Sequence, residues 1–169
     1  LLYRLPHLFS LFYFNSITKL VAKFSPLSSE IEKSLIDDSI KFRQKSKVWD
    51  AINDAIASLD ELKETGTFKN AKLRILVFSD GCDMGSEKNK EDVCRTAIEK
   101  NIIVDSIIFA IDKSCDDLCK FSRFTGGYSY KSNNENDFYS FFEKESFLNL
   151  KLRNKDRKSV DPKEVAKLF

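Results

Sequence analysis

A chain of 169 residues, 42% hydrophobic and with 15 phenylalanines, suits a single domain with a sizeable core. Its formal net charge of +2 argues against a dedicated nucleic-acid binder, with local patches left open. Four cysteines are too few for a disulfide scaffold and no Asn-X-Ser/Thr acceptor occurs, which together point to a reducing, intracellular, cytoplasmic setting.

Residues 1–14 are rich in Leu, Phe and Tyr, but Arg4, Pro6, His7 and Ser10 interrupt them. The apolar run falls far short of the ~20 residues of a membrane span, and no small-residue cleavage site follows. Leu8 to Phe14 reads as a buried strand, and Ile17 to Phe24, after the Asn15-Ser16 turn, as its hairpin partner. The chain begins with Leu, so the sequence reads as a fragment. Ser28 or Ser29 opens a helix through Asp38, with Ile31, Leu35 and Ile36 as its stripe.

From Ser46 to Glu64, Val48, Ile52, Ala55, Ile56, Leu59 and Leu62 fall at helical spacing, and Gly66 ends the helix. Leu73 to Phe78 is an apolar strand running into Ser79-Asp80-Gly81, and a polar loop from Asp80 to Asn89 follows. Lys90 to Lys100 reads as a helix and Ile102 to Ile111 as a strand. Ser114 with Asp117 is a capping-box signature for a helix ending near Phe124. Thr125-Gly126-Gly127 forces a turn, Tyr128 to Tyr130 is a short strand, and Asn134 to Phe147 a last helix. Strand and helix alternate from Lys45 onwards. The expected fold is therefore α/β, a doubly wound, mostly parallel sheet flanked by helices. The expected domain covers 8–148. A basic linker, with the start of a helix at Asp161-Pro162, fills 149–169.

Asp80 sits where the chemistry of such a fold collects. A short apolar run is a strand buried on both faces, and ligands bind at the carboxyl edge of open α/β sheets. The plain alternative is that Asp80-Gly81 only makes a turn. Asp83, three residues on, is either a second carboxylate at that edge or a solvated loop residue. The single histidine, His7, removes His-based triads. No phosphate-binding glycine loop is present. Cys115 and Cys119, four apart on one helical face, read as core packing and not as zinc ligands.

Three segments carry a resemblance to the von Willebrand factor type A (VWFA) domain, a Rossmann-like fold. Ser46-Lys47-Val48-Trp49-Asp50-Ala51-Ile52 resembles that family's Thr-X-Leu-aromatic-Asp-Ala helix start. Arg74 to Gly81 resembles its central strand ending in Thr-Asp-Gly. Ile103 to Phe121, followed by Thr125-Gly126-Gly127-Tyr128, resembles its late strand, helix and turn, and Phe14-Asn15 fits a strand end. The resemblance spans about Leu8 to Phe147. It implies a metal-ion-dependent adhesion site in which Ser46 and Asp80 would be Mg²⁺ ligands, hydroxyl and carboxylate oxygens being what that ion prefers. The family's Asp-X-Ser-X-Ser motif occurs nowhere in the chain, so the implied site is incomplete or degenerate. The family's first strand would lie before Leu8, where seven residues remain, so the sheet is expected to lack it.

The resemblance implies a non-enzymatic protein–protein interaction module. Its partner, another protein, would meet the loops carrying Ser46, Asp80, Gly81, Asp83 and Asp112 at the carboxyl edge. Ser46 also has a plain role open to it, as cap of the helix it precedes. The alternative is a Mg²⁺-dependent phosphoryl-handling enzyme using Asp80 and Asp83, since fold does not fix function.

Overall fold

The computed structural model describes residues 8–26, 45–66, 71–109, 116–134, 136–137, 139–141 and 158–169. The expected helix over 28–38, and with it Asp112, Ser114 and Cys115, lies outside those residues.

β1 (Phe9–Phe14) and β2 (Thr18–Ser25) form an antiparallel hairpin closed by Asn15. The Asn15 side-chain oxygen accepts from the amide of Ile17 at 3.0 Å, the local bond that suits Asn to turns. β1 was expected to be buried, yet Phe9 is 45% exposed and the rest is half-buried. Among the described residues β1 pairs with β2.

α1 (Val48–Glu64) buries Val48, Trp49, Ala51, Ile52, Ile56 and Leu59. Thr65 caps its carboxyl end and Gly66 follows at φ +77°, where a side chain would be strained. β3 (Leu73–Ser79), β4 (Ile102–Phe109) and β5 (Ser129–Ser132) make a parallel sheet in the order β3-β4-β5. α2 (Lys90–Glu99) joins β3 to β4, and α3 (Asp117–Phe124) lies between β4 and β5 in sequence. The Asn89 side chain caps α2 by accepting from the amide of Glu91 at 2.7 Å.

The pleat sends alternate residues to opposite faces. Leu73 and Val77 stand in register with Ile102 and Ser106, on the face where α1, α2 and α3 bring Ile52, Ile56, Val93, Ala97, Leu118 and Phe121. Trp49 stacks on Phe121 with ring centroids 5.6 Å apart, tying α1 to α3. Each such fully buried side chain stabilises the fold by about 1.5–3 kcal/mol. β4 is the central strand, and from Val104 to Ile108 every residue is buried.

The opposite face carries Arg74, Leu76 and Phe78. Helical residues 136–137 and 139–141 approach it through Phe141, which stacks on Tyr130 at 5.0 Å. Here lies an ion pair between the Arg74 guanidinium and Asp105, whose carboxylate is 0% exposed and also accepts from the amide of Tyr128 at 2.7 Å. That pair accounts for an arginine in the middle of an apolar strand.

The turn after α3 needs its glycines. A Cβ on Gly127 would lie 2.0 Å from the Val104 carbonyl oxygen, and Gly126 has φ +80°. The Thr125 hydroxyl accepts from the amide of Val104 at 3.0 Å and locks the turn to β4.

Residues 158–169, expected to lead out of the domain, return to it. A 3₁₀ turn (Pro162–Glu164) and α4 (Val165–Leu168) pack on α2. Val165 is fully buried, the Val160 amide donates to the Phe124 carbonyl at 2.9 Å, and Phe169 meets Phe124 edge to face.

Candidate functional site

Three segments meet at the carboxyl edge of the strands. They are the turn after β1, residues 45–47 ahead of α1, and loop 80–89 after β3. Backbone hydrogen bonds stitch them together. The Lys47 amide donates to the Asn15 carbonyl at 2.9 Å, and the Met84 amide to the Ser46 carbonyl at 2.8 Å.

The strongest link is between loop 80–89 and the start of α1. The N-cap position of α1 is Lys47, which makes no side-chain cap. Asp83 supplies it from another loop, its Oδ1 accepting from the Val48 amide at 2.8 Å. Ser86 Oγ accepts from the amides of Trp49 at 3.0 Å and Asp50 at 3.2 Å, and donates to Asp83 Oδ1 at 2.5 Å. Asp50 returns the favour, its Oδ1 accepting from the amides of Glu87 and Lys88, both at 2.9 Å. The first-turn donors of a helix have no partners within it, and a carboxylate there also meets the positive end of the helix dipole.

Lys47 spans this junction, its Nζ 3.0 Å from Glu87 and 3.4 Å from Asp50. The bond to Glu87 raises the Lys47 ammonium above its ordinary 10.5. For Asp50, partial burial pushes the pKa up, but the amides of Lys88 and Glu87, helped by Lys47, outweigh it and hold the carboxyl below its ordinary 3.8. Beside the junction opens a cleft of about 330 Å³, lined by Ser16, Thr18, Lys47, Asp50, Asp54 and Lys88 among others. It mixes both charges and so selects no single ionic ligand.

The predicted site residues are placed unequally. Asp80 is exposed, and its Oδ1 accepts from the Cys82 amide at 3.1 Å in a local turn. Gly81 is buried at φ +86°, its amide donating to Ser79 Oγ at 3.1 Å. Ser46 contributes its carbonyl to the junction and is not the residue at the cap position. Asp83 is half-buried and serves as the cap of α1, neither a solvated loop residue nor a free second carboxylate. Asp112 lies outside the described residues. Asp50 and Ser86 went unread as contributors to this edge. Asp50 had a signal, an acid in the first turn of a helix; Ser86 had none.

Mg²⁺ asks for about six hard oxygens in octahedral order. Here both Asp83 oxygens are spent on Val48 and Ser86, and no cluster of three His, Cys, Asp or Glu side chains that could hold a metal occurs among the described residues. Cys82 is disulfide-bonded, two residues after Asp80, in a chain read as too cysteine-poor for a disulfide scaffold. Cys94 and Cys119 are free. Cys94 packs in the core, where burial pushes its thiol up to about 12.

No protein-family model matches the chain, and no curated protein does. Solved structures do match. The SpRpn10 VWA domain superposes with a TM-score of 0.56 at 12% identity, over 74% of this chain and 64% of that one. The fold is VWA-like. BatB, a conserved hypothetical protein from Bacteroides thetaiotaomicron, gives 0.57 at 16% identity, over 83% of this chain and 78% of that one. An aerotolerance-related membrane protein from Bacteroides fragilis gives 0.56 at 15%, over 82% and 78%. At such identities the likeness speaks for the fold alone. Among the described residues no helix is long and apolar enough to cross a membrane.

Proposed function

We propose that this VWA-like chain is a non-enzymatic protein-interaction module that holds its partner at the carboxyl edge of the sheet. The observation that supports it is the cross-linked junction itself. Asp83, Ser86 and Asp50 brace loop 80–89 against α1, while the loop tips stay outward. Asp80 is exposed, Ile17 is 65% exposed and Met84 is 55% exposed. An outward carboxylate with apolar neighbours on a braced frame suits protein recognition, because little ordering entropy remains to be lost on binding. The likeness to a VWA domain agrees with this reading. Mg²⁺ is not needed for it, and the chain is expected to show no saturable Mg²⁺ binding below ~1 mM, since affinity for this ion follows the number of oxygen ligands.

The phosphoryl-handling alternative asks for two free carboxylates, and Asp83 is committed to α1. The test begins with a partner captured by proximity labelling and then purified. The combined change Ile17→Ala, Asp80→Ala and Met84→Ala should weaken its binding by about tenfold or more, as loss of a contact cluster does, with melting unchanged. Unchanged affinity would overturn the loop surface. Phosphatase activity of the purified chain that vanishes in Asp80→Ala would overturn the non-enzymatic reading.

A further inference from the structure

Residues 158–169 hold to the body of the fold by a short set of contacts. The Val160 amide donates to the Phe124 carbonyl at 2.9 Å, Val165 is fully buried, and the Phe169 ring meets Phe124 edge to face at 5.2 Å. Lys120 donates to the Phe169 carbonyl at 3.2 Å, and Lys90, paired with Asp117 at 2.7 Å, lies 5.0 Å from the centre of the Phe169 ring. Three apolar anchors thus stand against the entropy of ordering the whole segment. A segment held by so few buried contacts opens locally at low cost, and a small local change moves it.

Ser159 stands immediately before the first of these anchors. It is exposed and lies in neither helix nor strand. In the sequence Arg153, Lys155, Arg157 and Lys158 precede it and Val160 follows. Kinases select substrates by charge pattern, and a basic run ahead of a serine complements an acidic substrate groove. Charge alone does not single out Ser159, because Ser46 follows Lys41, Arg43 and Lys45. Position does. Ser46 is half-buried, its carbonyl accepts from the Met84 amide, and the next amide, that of Lys47, donates to Asn15. That backbone is stitched on both sides and does not leave to fit an enzyme cleft. Ser159 belongs to the lightly held segment, which does.

We propose that Ser159 is a phosphorylation site for a basic-directed serine kinase, and that its phosphate loosens residues 158–169 from α2 and α3. The γ-phosphoryl group of ATP passes to Ser159 Oγ. The bond to the oxygen bridging the β-phosphate breaks, ADP leaves, and the kinase's base takes the hydroxyl proton. The product carries about −1.5 to −2 charge at neutral pH. One residue on, Val160 packs against the core and its amide is bonded to the Phe124 carbonyl oxygen. Two residues on, the Asp161 carboxylate accepts from the Lys163 amide at 2.9 Å and opens the 3₁₀ turn. A phosphate dianion is repelled by that carboxylate and that carbonyl oxygen. It also keeps its water, which opposes the packing of the apolar residue joined to it. This inference does not rest on the loop surface above, since it uses neither Asp80, Ile17 nor Met84.

The test incubates the full chain with Mg-ATP and the catalytic subunit of a basic-directed serine kinase, and locates phosphate by peptide mass spectrometry. Ser159 should be the main site. Arg157→Glu combined with Lys158→Glu should slow its uptake of phosphate by about tenfold or more. Hydrogen exchange at the Val160 amide and over Val165–Leu168 should speed by about tenfold or more in the phosphorylated chain, and stay unchanged in a Ser159→Ala chain treated alike. No phosphate on Ser159, or phosphate chiefly on Ser46, would overturn the site. Uptake indifferent to the two charge reversals would overturn its recognition by basic residues. A chain phosphorylated on Ser159 that exchanges no faster than the treated Ser159→Ala chain would overturn the loosening.

Discussion

Asp83 caps Val48 across 35 positions of sequence, its carboxylate accepting the first amide of α1 at 2.8 Å. Asp83→Ala should therefore cost about 1–3 kcal/mol, a lost cap plus the freed Ser86 hydroxyl. Asp80→Ala, at an exposed turn, should cost about 0.5 kcal/mol or less. Urea unfolding of the two variants makes the comparison, and equal losses would contradict the capping role.

The Lys47–Asp50 junction predicts a pH response at both ends of the scale. The folded state holds Asp50 ionised below 3.8, so its contribution is present above that value and is lost as falling pH passes the folded pKa. Asp50→Asn should flatten the loss of stability in acid below 3.8. The folded state holds Lys47 protonated above 10.5, so its contribution is present below that value and fades as rising pH passes the folded pKa. Lys47→Met should flatten the alkaline side only. Melting temperature against pH reads both.

Gly127→Ala should prevent folding or cost about 3 kcal/mol or more, because the new methyl meets backbone that cannot yield. Gly85→Ala offers the contrast. Its Cβ would meet nothing within 4 Å, so only the φ of +111° is strained, at about 1–3 kcal/mol. Circular dichroism and thermal melts of the two proteins decide it.

Arg74→Ala should cost about 3 kcal/mol by stranding the buried Asp105 carboxylate, with part of the charge still met by the Tyr128 amide. Arg74→Ala combined with Asp105→Ala should recover part of that loss. A double-mutant cycle in denaturant measures the coupling, and strict additivity would mean the pair does not act as one.

Strands and helices were legible from the chain wherever period and punctuation agreed. Leu73 to Phe78 is the clearest case, an apolar run closed by Ser-Asp-Gly, and the helix over Val48 to Glu64 is another. What stayed hidden was every contact made across the fold. Nothing local marks Asp83 as the cap of a helix that begins 35 residues earlier, and local reading assigns that duty to Ser46 or to nobody. Asp105 reads as one polar residue in an apolar strand until Arg74 stands beside it in the neighbouring strand. Residues 158–169 follow a basic run, yet Val160, Val165 and Phe169 pack them against the core. A count of cysteines excludes a disulfide scaffold but does not mark Cys82 as bonded.

The remote capping of α1 also orders the events of synthesis. As the chain leaves the ribosome, residues 48–64 emerge well before Asp83 and Ser86. The opening turn of the helix then lacks its acceptors and frays. A helix of 17 residues is marginal by itself in water. Its first turn becomes firm only after β3 has formed and its trailing loop has swung back over the helix start. A chain that ends before Ser86 should therefore be open to proteases at Lys47, and the full chain should not.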